Sequence, residues 1–364
     1  MYFSDAINKN NKMDIKDIED FLNRFDVKYD YPEKTFVIRD KGRIISTGSI
    51  DGNVLKYFFT DCNYKGEGTI SVIYNSLLNY LIDKGEASYF VFTSPKNKEI
   101  FSSLGLDLVE DTEDVSLLEG GFYNYKKWIN EVENRLKIKD DLKKKEESSK
   151  ENLKTKDSKK YKLGSIVVNC NPMTLGHKYL IEKALDLVDE LIVFLVEEDR
   201  SDFSFEDRWS IINKEFKNNK RVKIIPSGPY IISRATFPTY FLKEEDDKLD
   251  IYTRLDASIF GKKISKDLGI DIRFLGTEPI DTLTRTYNKN IKNILEGLNI
   301  KVEVVERKSF QGEIISASKV RRLLASDKPQ EAYKYLPQST IEFLESVKGI
   351  ELIKKLQKKK LNRK

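Results

Sequence analysis

Nine consecutive residues, Asn169-Cys170-Asn171-Pro172-Met173-Thr174-Leu175-Gly176-His177, form the stretch whose residue types and spacing could do chemistry. Gly176 lets the backbone approach a ligand closely, and a helix starting there presents unpaired N–H groups and a partial positive charge, an arrangement that holds a polyphosphate well. His177 is the only histidine among 364 residues. A solitary histidine is more often a packed or surface residue than a reactive one. Here a preceding glycine, a strand-to-helix turn and the neighbouring Thr174 favour a phosphate donor. Cys170 lies inside the same turn and reads as a small buried filler or, alternatively, as a reactive thiol.

The elements around this turn read as strand, then helix. Ser165 to Val168 is a β-branched run bounded by Gly164 and Asn169, and Leu180, Ile181, Ala184, Leu185 and Val188 recur at helical spacing. Further strands are expected at Leu191 to Val196, Arg221 to Ile225, Asp271 to Leu275 and Lys301 to Val305, with helices between them and Ser204 capping one of these helices. Five strands separated by helices imply a doubly wound parallel sheet, with its ligand crevice at the carboxyl ends beside the first strand.

The first half has a different pattern. A helix is expected from Met13 to Phe25, then strands at Thr35 to Arg39 and Arg43 to Gly48 joined as a hairpin at Lys41-Gly42, and a strand from Val54 to Phe59. Asn63-Tyr64-Lys65-Gly66-Glu67-Gly68-Thr69 opens a long helix from Ile70 to Lys84. A strand from Ala87 to Thr93 and a helix from Asn97 to Leu104 follow. From Tyr123 the chain becomes helical and charged, and EESSKENLKTKDSKK, residues 146–160, has a single apolar residue and no periodicity. The expected organisation is an N-terminal domain over 1–122, a charged helix and linker over 123–162, a second domain over 163–348 and a basic tail over 349–364.

Composition narrows the classes. Lys and Arg outnumber Asp and Glu by 64 to 59, but the final ELIKKLQKKKLNRK carries seven basic side chains against one acidic, so the excess belongs to that tail, expected to be solvated and partly helical. No basic face with interleaved aromatics suggests nucleic-acid binding, and no apolar run approaches the ~20 residues that span a bilayer. MYFSDAINKNNK lacks the apolar core of a signal peptide. Two cysteines, Cys62 and Cys170, suggest neither a disulfide framework nor a zinc site. The expectation is a cytoplasmic protein without a metal site of its own.

Thr174-Leu175-Gly176-His177 resembles the T/H-x-G-H signature of the nucleotidyltransferase superfamily, and Ile315-Ser316-Ala317-Ser318-Lys319-Val320-Arg321 resembles its second signature, I-S-x-S-x-x-R, in the right order. The first half is similar to a GNAT N-acetyltransferase domain, in which a splayed strand precedes a Q/R-x-x-G-x-G/A loop that holds the pyrophosphate of acetyl-coenzyme A. Gly66 and Gly68 match that loop, and Asn63 stands where the family has Gln or Arg. A merely tight turn is the competing reading. The segment from Tyr230 to Phe241, the fragment Phe274-Leu275-Gly276-Thr277-Glu278-Pro279 and the pairing of domains resemble the citrate lyase ligase family from about Lys12 to Ser346, with Met173 where the family usually has Phe.

That resemblance implies an α/β protein: a GNAT-like α+β domain, then a Rossmann-like nucleotidyltransferase domain. It implies ATP-dependent acetylation of the thiol prosthetic group, a phosphoribosyl-dephospho-coenzyme-A, of the citrate lyase acyl-carrier subunit. The acyl source is acetate, the intermediate acetyl-adenylate, and the released products AMP and pyrophosphate, with magnesium entering alongside the nucleotide. His177, Thr174 and Arg321 would be catalytic, and Asn169, Asn171, Pro172, Gly176, Ser316, Ser318 and Glu278 would bind ATP. Asn169 and Asn171 would contact nucleotide or shape the turn. Ser316 would also cap a helix. Glu278 would hold adenine, ribose or a magnesium-bound water. Tyr64, Lys65, Gly66 and Gly68 would hold the prosthetic group. Arg234, a lone cation in an apolar, aromatic segment, would take the acetate carboxylate, or else form an internal salt bridge. The alternative activity is an adenylyltransferase that makes a dinucleotide such as dephospho-coenzyme A. From another class, the alternative is a non-catalytic, nucleotide-dependent carrier-binding module or regulator.

Overall fold

The structure, a computed structural model, describes residues 2–136, 161–197, 201–236, 249–278, 282–310 and 312–361. It divides into two compact units, Met1–Lys127 and Trp128–Lys364.

In the first unit the central strands of one sheet are covered on both faces, and one of them is buried without a break from Ile44 to Ile50. The elements are β1 (Asp5–Ala6), α1 (Lys12–Asn23), β2 (Lys34–Asp40), β3 (Arg43–Asp51), β4 (Val54–Thr60), α2 (Thr69–Asp83), β5 (Ser88–Thr93), α3 (Lys98–Ser103), β6 (Asp107–Asp111) and β7 (Ser116–Gly121). They form a sheet of order β1-β2-β3-β4-β5-β7-β6. Ile38 and Ile45 face α2 with Ile73 and Leu77, while Val37 and Ile44 face α1 with Ile18, Phe21 and Leu22. All neighbours are antiparallel except β4 and β5, which pair only at Val54–Phe90 and Leu55–Val91. Their separation has a local cause. Between the pairs Ser49–Lys56 and Thr47–Phe59, β4 carries one residue more than β3, and Tyr57 adopts φ +59°. Such a bulge bends the strand away from its neighbour. A Cβ on Gly48 would stand 2.4 Å from Ile73, so a glycine opposite the bulge admits α2 against the sheet. The GNAT-like arrangement is thus present. Strands β6 and β7 lie beyond the elements expected from sequence.

Helix α4 (Tyr125–Leu136) crosses the boundary between the units. In the second unit its Trp128 ring lies 5.1 Å from that of Tyr230, and a Cβ on Gly228 would stand 2.1 Å from Trp128 Nε1. The charged helix expected as part of a linker is therefore packed by its apolar face. Most of the linker, 137–160, lies outside the described residues.

The second unit continues with β8 (Leu163–Val168), α5 (Leu175–Leu185), β9 (Glu190–Leu195), α6 (Phe205–Phe216), β10 (Val222–Pro226), α7 (Leu249–Ile259), α8 (Ser265–Leu268), β11 (Ile272–Gly276), α9 (Thr282–Gly297) and β12 (Lys301–Val305). The sheet is parallel throughout, in the order β10-β9-β8-β11-β12. This is the Rossmann-like fold. After the short hairpin β13 (Ser309–Phe310) and β14 (Glu313–Ile314) come α10 (Ala317–Ala325), α11 (Pro329–Tyr333), α12 (Gln338–Glu345) and α13 (Val347–Leu361). Ile166, Val168, Val193, Ile272 and Phe274 share one core with α5, α6, α10 and α12. The basic C-terminal stretch differs from a solvated tail. It forms α13, whose Leu356 is buried and whose Leu352 and Ile353 pack on the same core. Apolar residues at helical spacing anchor one face while the lysines occupy the other.

Candidate active site

The crevice opens where two central strands part. β8 and β11 pair from Gly164–Ile272 to Ile166–Phe274 and no further, although β8 runs to Val168 and β11 to Gly276. Their carboxyl ends lead into the turn at 169–174 and into Gly276-Thr277-Glu278, at the position where the strand order reverses.

The turn is held from beneath. Arg208 on α6 is fully buried, and its Nη1 donates to the Asn169 carbonyl (3.0 Å), to Asn169 Oδ1 (3.1 Å) and to the Val196 carbonyl (2.6 Å), while its Nε donates to the Phe203 carbonyl at 3.1 Å. Asn169 Oδ1 also accepts from Ser201 Oγ, and Asn171 Oδ1 accepts the Phe203 N–H at 3.1 Å. Both asparagine side-chain oxygens therefore shape the turn. Pro172 is buried, following a cis peptide bond from Asn171. Met173 is fully buried, and its carbonyl accepts from Thr340 Oγ1 on α12 at 3.1 Å. Cys170 is also fully buried. Burial pushes its thiol up to about 12, so it packs and does not react.

At the start of α5 the Thr174 N–H donates to His177 Nδ1 at 3.0 Å, and Thr174 Oγ1 lies 2.9 Å from the same nitrogen. An Nδ1 that accepts a backbone N–H carries no proton, which fixes the tautomer and leaves Nε2–H as the ring's donor. Thr174 is buried, so in this conformation its hydroxyl orients the imidazole. Desolvation pushes the half-buried ring down to about 4, and the Arg307 charge acts in the same direction. The folded protein then binds fewer protons than the unfolded chain between about pH 6.5 and 4. This group's contribution to stability is complete above that window and is lost as pH falls through it. Being the only histidine, its ring resonances need no assignment. Their titration by NMR should have a midpoint near 4, and a midpoint near 6.5 would contradict the desolvated, Nδ1-accepting geometry.

The two signatures meet in one wall. A Cβ on Gly176 would lie 3.5 Å from the Ile315 carbonyl oxygen, and the Arg321 guanidinium donates from Nη1 to the Asn171 carbonyl. Arg321 Nη2 donates to Ser318 Oγ at 3.4 Å, and its Nε pairs with Asp202 at 3.2 Å. Asp202 also receives Lys359 from α13 at 2.8 Å. Ser316 caps α10, accepting the Lys319 N–H at 3.2 Å. Across the crevice the buried Glu278 is paired with Arg307, whose own N–H donates to Thr277 Oγ1 at 2.9 Å. Half-buried Arg234 stands between buried Ser233 and Ala235, and the rest of its segment, 237–241, lies outside the described residues.

In the first unit, Gly66 and Gly68 have φ +84° and +77°, and among the described residues, chain neighbours aside, no atom lies within 4 Å of a Cβ built on either. Gly68 is the N-cap of α2, and Tyr64 donates its hydroxyl to Asp40 at 2.6 Å. Lys65 is exposed. Backbone conformation, not crowding, demands glycine here.

Sequence reasoning missed Arg208, Asp202 and Arg307. Arg307 follows a strand that ends at the crevice, a position that could have singled it out. Arg208 reads as an ordinary helical cation.

Residues 163–344 match the model of the citrate lyase ligase C-terminal domain. A [citrate [pro-3S]-lyase] ligase of Klebsiella pneumoniae is 34% identical over 86% of this chain and 86% of its own. One from Escherichia coli is 32% identical over 93% of this chain and 92% of its own. A phosphopantetheine adenylyltransferase of Fusobacterium nucleatum is 32% identical over 36% of this chain and 82% of its own. The ligases match both units; the adenylyltransferase matches a smaller part.

Proposed function

The chain belongs to the citrate lyase ligase family, and from that membership we propose that it acetylates the prosthetic thiol of the citrate lyase acyl-carrier subunit, using acetate and ATP. The family uses a nucleotide, and the site described above is of nucleotidyltransferase type. Acetate is already an anion at pH 7. Its oxygen attacks the α-phosphorus, the bond to pyrophosphate breaks, and acetyl-adenylate forms without a general base. What the protein supplies is alignment and neutralisation of phosphate charge.

His177 Nε2–H and the N-terminus of α5 would hold the phosphates from one side, with Thr174 orienting the ring and Gly176 admitting the ligand. Arg321, Ser318 and the N-terminus of α10 at Ser316 would close from the other. Asn169, Asn171 and Pro172 would keep the turn in shape, and Glu278 with Arg307 would flank the nucleotide. Arg234 would take the acetate carboxylate. Among the described residues no group of three or more His, Cys, Asp or Glu side chains is placed to hold a metal ion. Magnesium would enter with the triphosphate, where it would offset phosphate charge.

In the second half-reaction the carrier thiol attacks the acetyl carbonyl, its proton leaves to solvent, and AMP departs. The domain over 1–122 would hold the dephospho-coenzyme-A arm at Tyr64, Lys65, Gly66 and Gly68, and the domain over 163–348 would make the adenylate. The observation that carries the reading is the packing of the two signatures, Arg321 against the Asn171 carbonyl and Gly176 against Ile315. Mass spectrometry of products from ATP and acetate, with and without the carrier, tests it. AMP and pyrophosphate with an acetylated carrier are expected. A dinucleotide formed from a phosphate-bearing acceptor, with no acetate-dependent AMP, would favour the adenylyltransferase reading. Among the described residues no helix is long and apolar enough to cross a membrane.

A further inference from the structure

The segment that carries Arg234 is fastened at two points to one buried carboxylate. Ile232, two residues before it, has φ +47°, a conformation that a β-branched residue adopts only when its surroundings impose it. Its N–H donates to Asp256 Oδ1 at 2.8 Å. Thr236, two residues after, hydrogen-bonds the same carboxylate through its side chain. Between these points Ser233 Oγ accepts the Ala235 and Thr236 N–H groups at 3.1 and 3.2 Å, and the Ser233 N–H donates to Thr236 Oγ1 at 3.0 Å. The result is a tight turn with Arg234 at its apex.

Asp256 itself belongs to the sheet's support. It lies on α7, fully buried, and its Oδ2 accepts the Tyr287 hydroxyl of α9 at 2.8 Å. The buried Arg273 of β11, stacked over Phe260 at 4.5 Å, supplies a compensating charge. Arg273 is the register partner of Ser165 on β8, the strand that carries the phosphate turn.

We propose that Asp256 is a positioning residue for the acid substrate, setting the placement of Arg234 relative to the phosphate turn. This rests on the reading of Arg234 as the carboxylate ligand. In-line attack needs the carboxylate and the α-phosphorus aligned, and a turn with two anchors on the sheet's own support fixes that relation in a way that a surface loop would not.

The test uses the full-length protein and acetate-dependent exchange of labelled pyrophosphate into ATP. Asp256→Ala should raise the KM for acetate about tenfold, the loss expected when the buried Ile232 N–H and Thr236 hydroxyl lose their shared acceptor, with the KM for ATP unchanged. Asp256→Asn, which keeps an acceptor for the Ile232 N–H, should recover part of the loss. The double variant with Arg234→Ala should be no worse than Arg234→Ala alone, because Asp256 acts through that side chain. If Asp256→Ala does not fold, Asp256→Asn and Tyr287→Phe carry the test, each with a smaller rise confined to acetate. Acetate and ATP constants that move together, or multiplicative losses in the double variant, overturn the proposal. If Arg234→Ala raises the acetate KM and the Asp256 variants do not, Asp256 alone is misassigned. An Arg234→Ala variant with normal acetate dependence removes both the reading and this inference.

Discussion

His177→Ala should lower acetate-dependent pyrophosphate release roughly 10²–10³-fold, the loss typical when one preorganised donor to developing charge is removed. The fold should survive. Among the described residues the ring accepts the Thr174 N–H and contacts the Thr174 hydroxyl, so its removal leaves one N–H near a helix start unpaired, at a cost of about 1 kcal/mol. Far-ultraviolet circular dichroism and a thermal melt separate the two effects. A folded variant with near-normal turnover would mean that the crevice at the end of β8 is not the nucleotide site. The depressed pKa adds a pH signature. A ring that protonates only near 4 is neutral across the working range, so the wild-type rate should show no loss near pH 6.5 that the alanine variant lacks.

Replacing Gly66 and Gly68 together by valine should abolish transfer to the carrier while leaving adenylate formation intact. Among the described residues, chain neighbours aside, no atom lies within 4 Å of a Cβ added at either glycine, so there is room for the first added carbon and the side chains would stand where a ligand approaches the loop. The positive φ values would strain the loop as well. Carrier acetylation should fall about a hundredfold, with acetate-dependent pyrophosphate exchange near wild type. Transfer at the wild-type rate would reduce the glycine loop to a turn. Loss of both activities in a folded variant would contradict a division of labour between the domains.

What could be read from the sequence was whatever is contiguous. The five strands of the parallel sheet stand as β-branched or apolar runs, the hairpin at Lys41-Gly42 announces itself by its turn residues, and each signature is a single stretch. Strands β6 and β7 escaped because Asp107, Glu110, Asp111, Glu113, Asp114 and Glu119 interrupt Leu106 to Gly121 with acids. Pairing across the two strands overrides those local preferences, and Glu110 and Glu119 end up buried. The packing of helix α13 escaped because Leu352, Ile353 and Leu356, which anchor it to the core, are outnumbered in the sequence by lysines on its other face. The supports of the site were illegible for another reason. Arg208 meets Asn169 across 39 positions, Arg321 meets Asn171 across 150, and Asp256 meets Ile232 across 24. No local pattern encodes such pairings. They exist only once the sheet has brought the strand ends together.

The most direct test of the central claim, that acetate is adenylylated before the thiol is acylated, follows the oxygen atoms. With acetate labelled in both carboxylate oxygens, unlabelled ATP and the carrier subunit, attack at the α-phosphorus transfers one labelled oxygen to the AMP formed on thiolysis. Mass spectrometry of the nucleotide should show singly labelled AMP in proportion to the acetylated carrier, with pyrophosphate unlabelled. Label in pyrophosphate or orthophosphate, or AMP without label while the carrier is acetylated, would contradict an acetyl-adenylate intermediate.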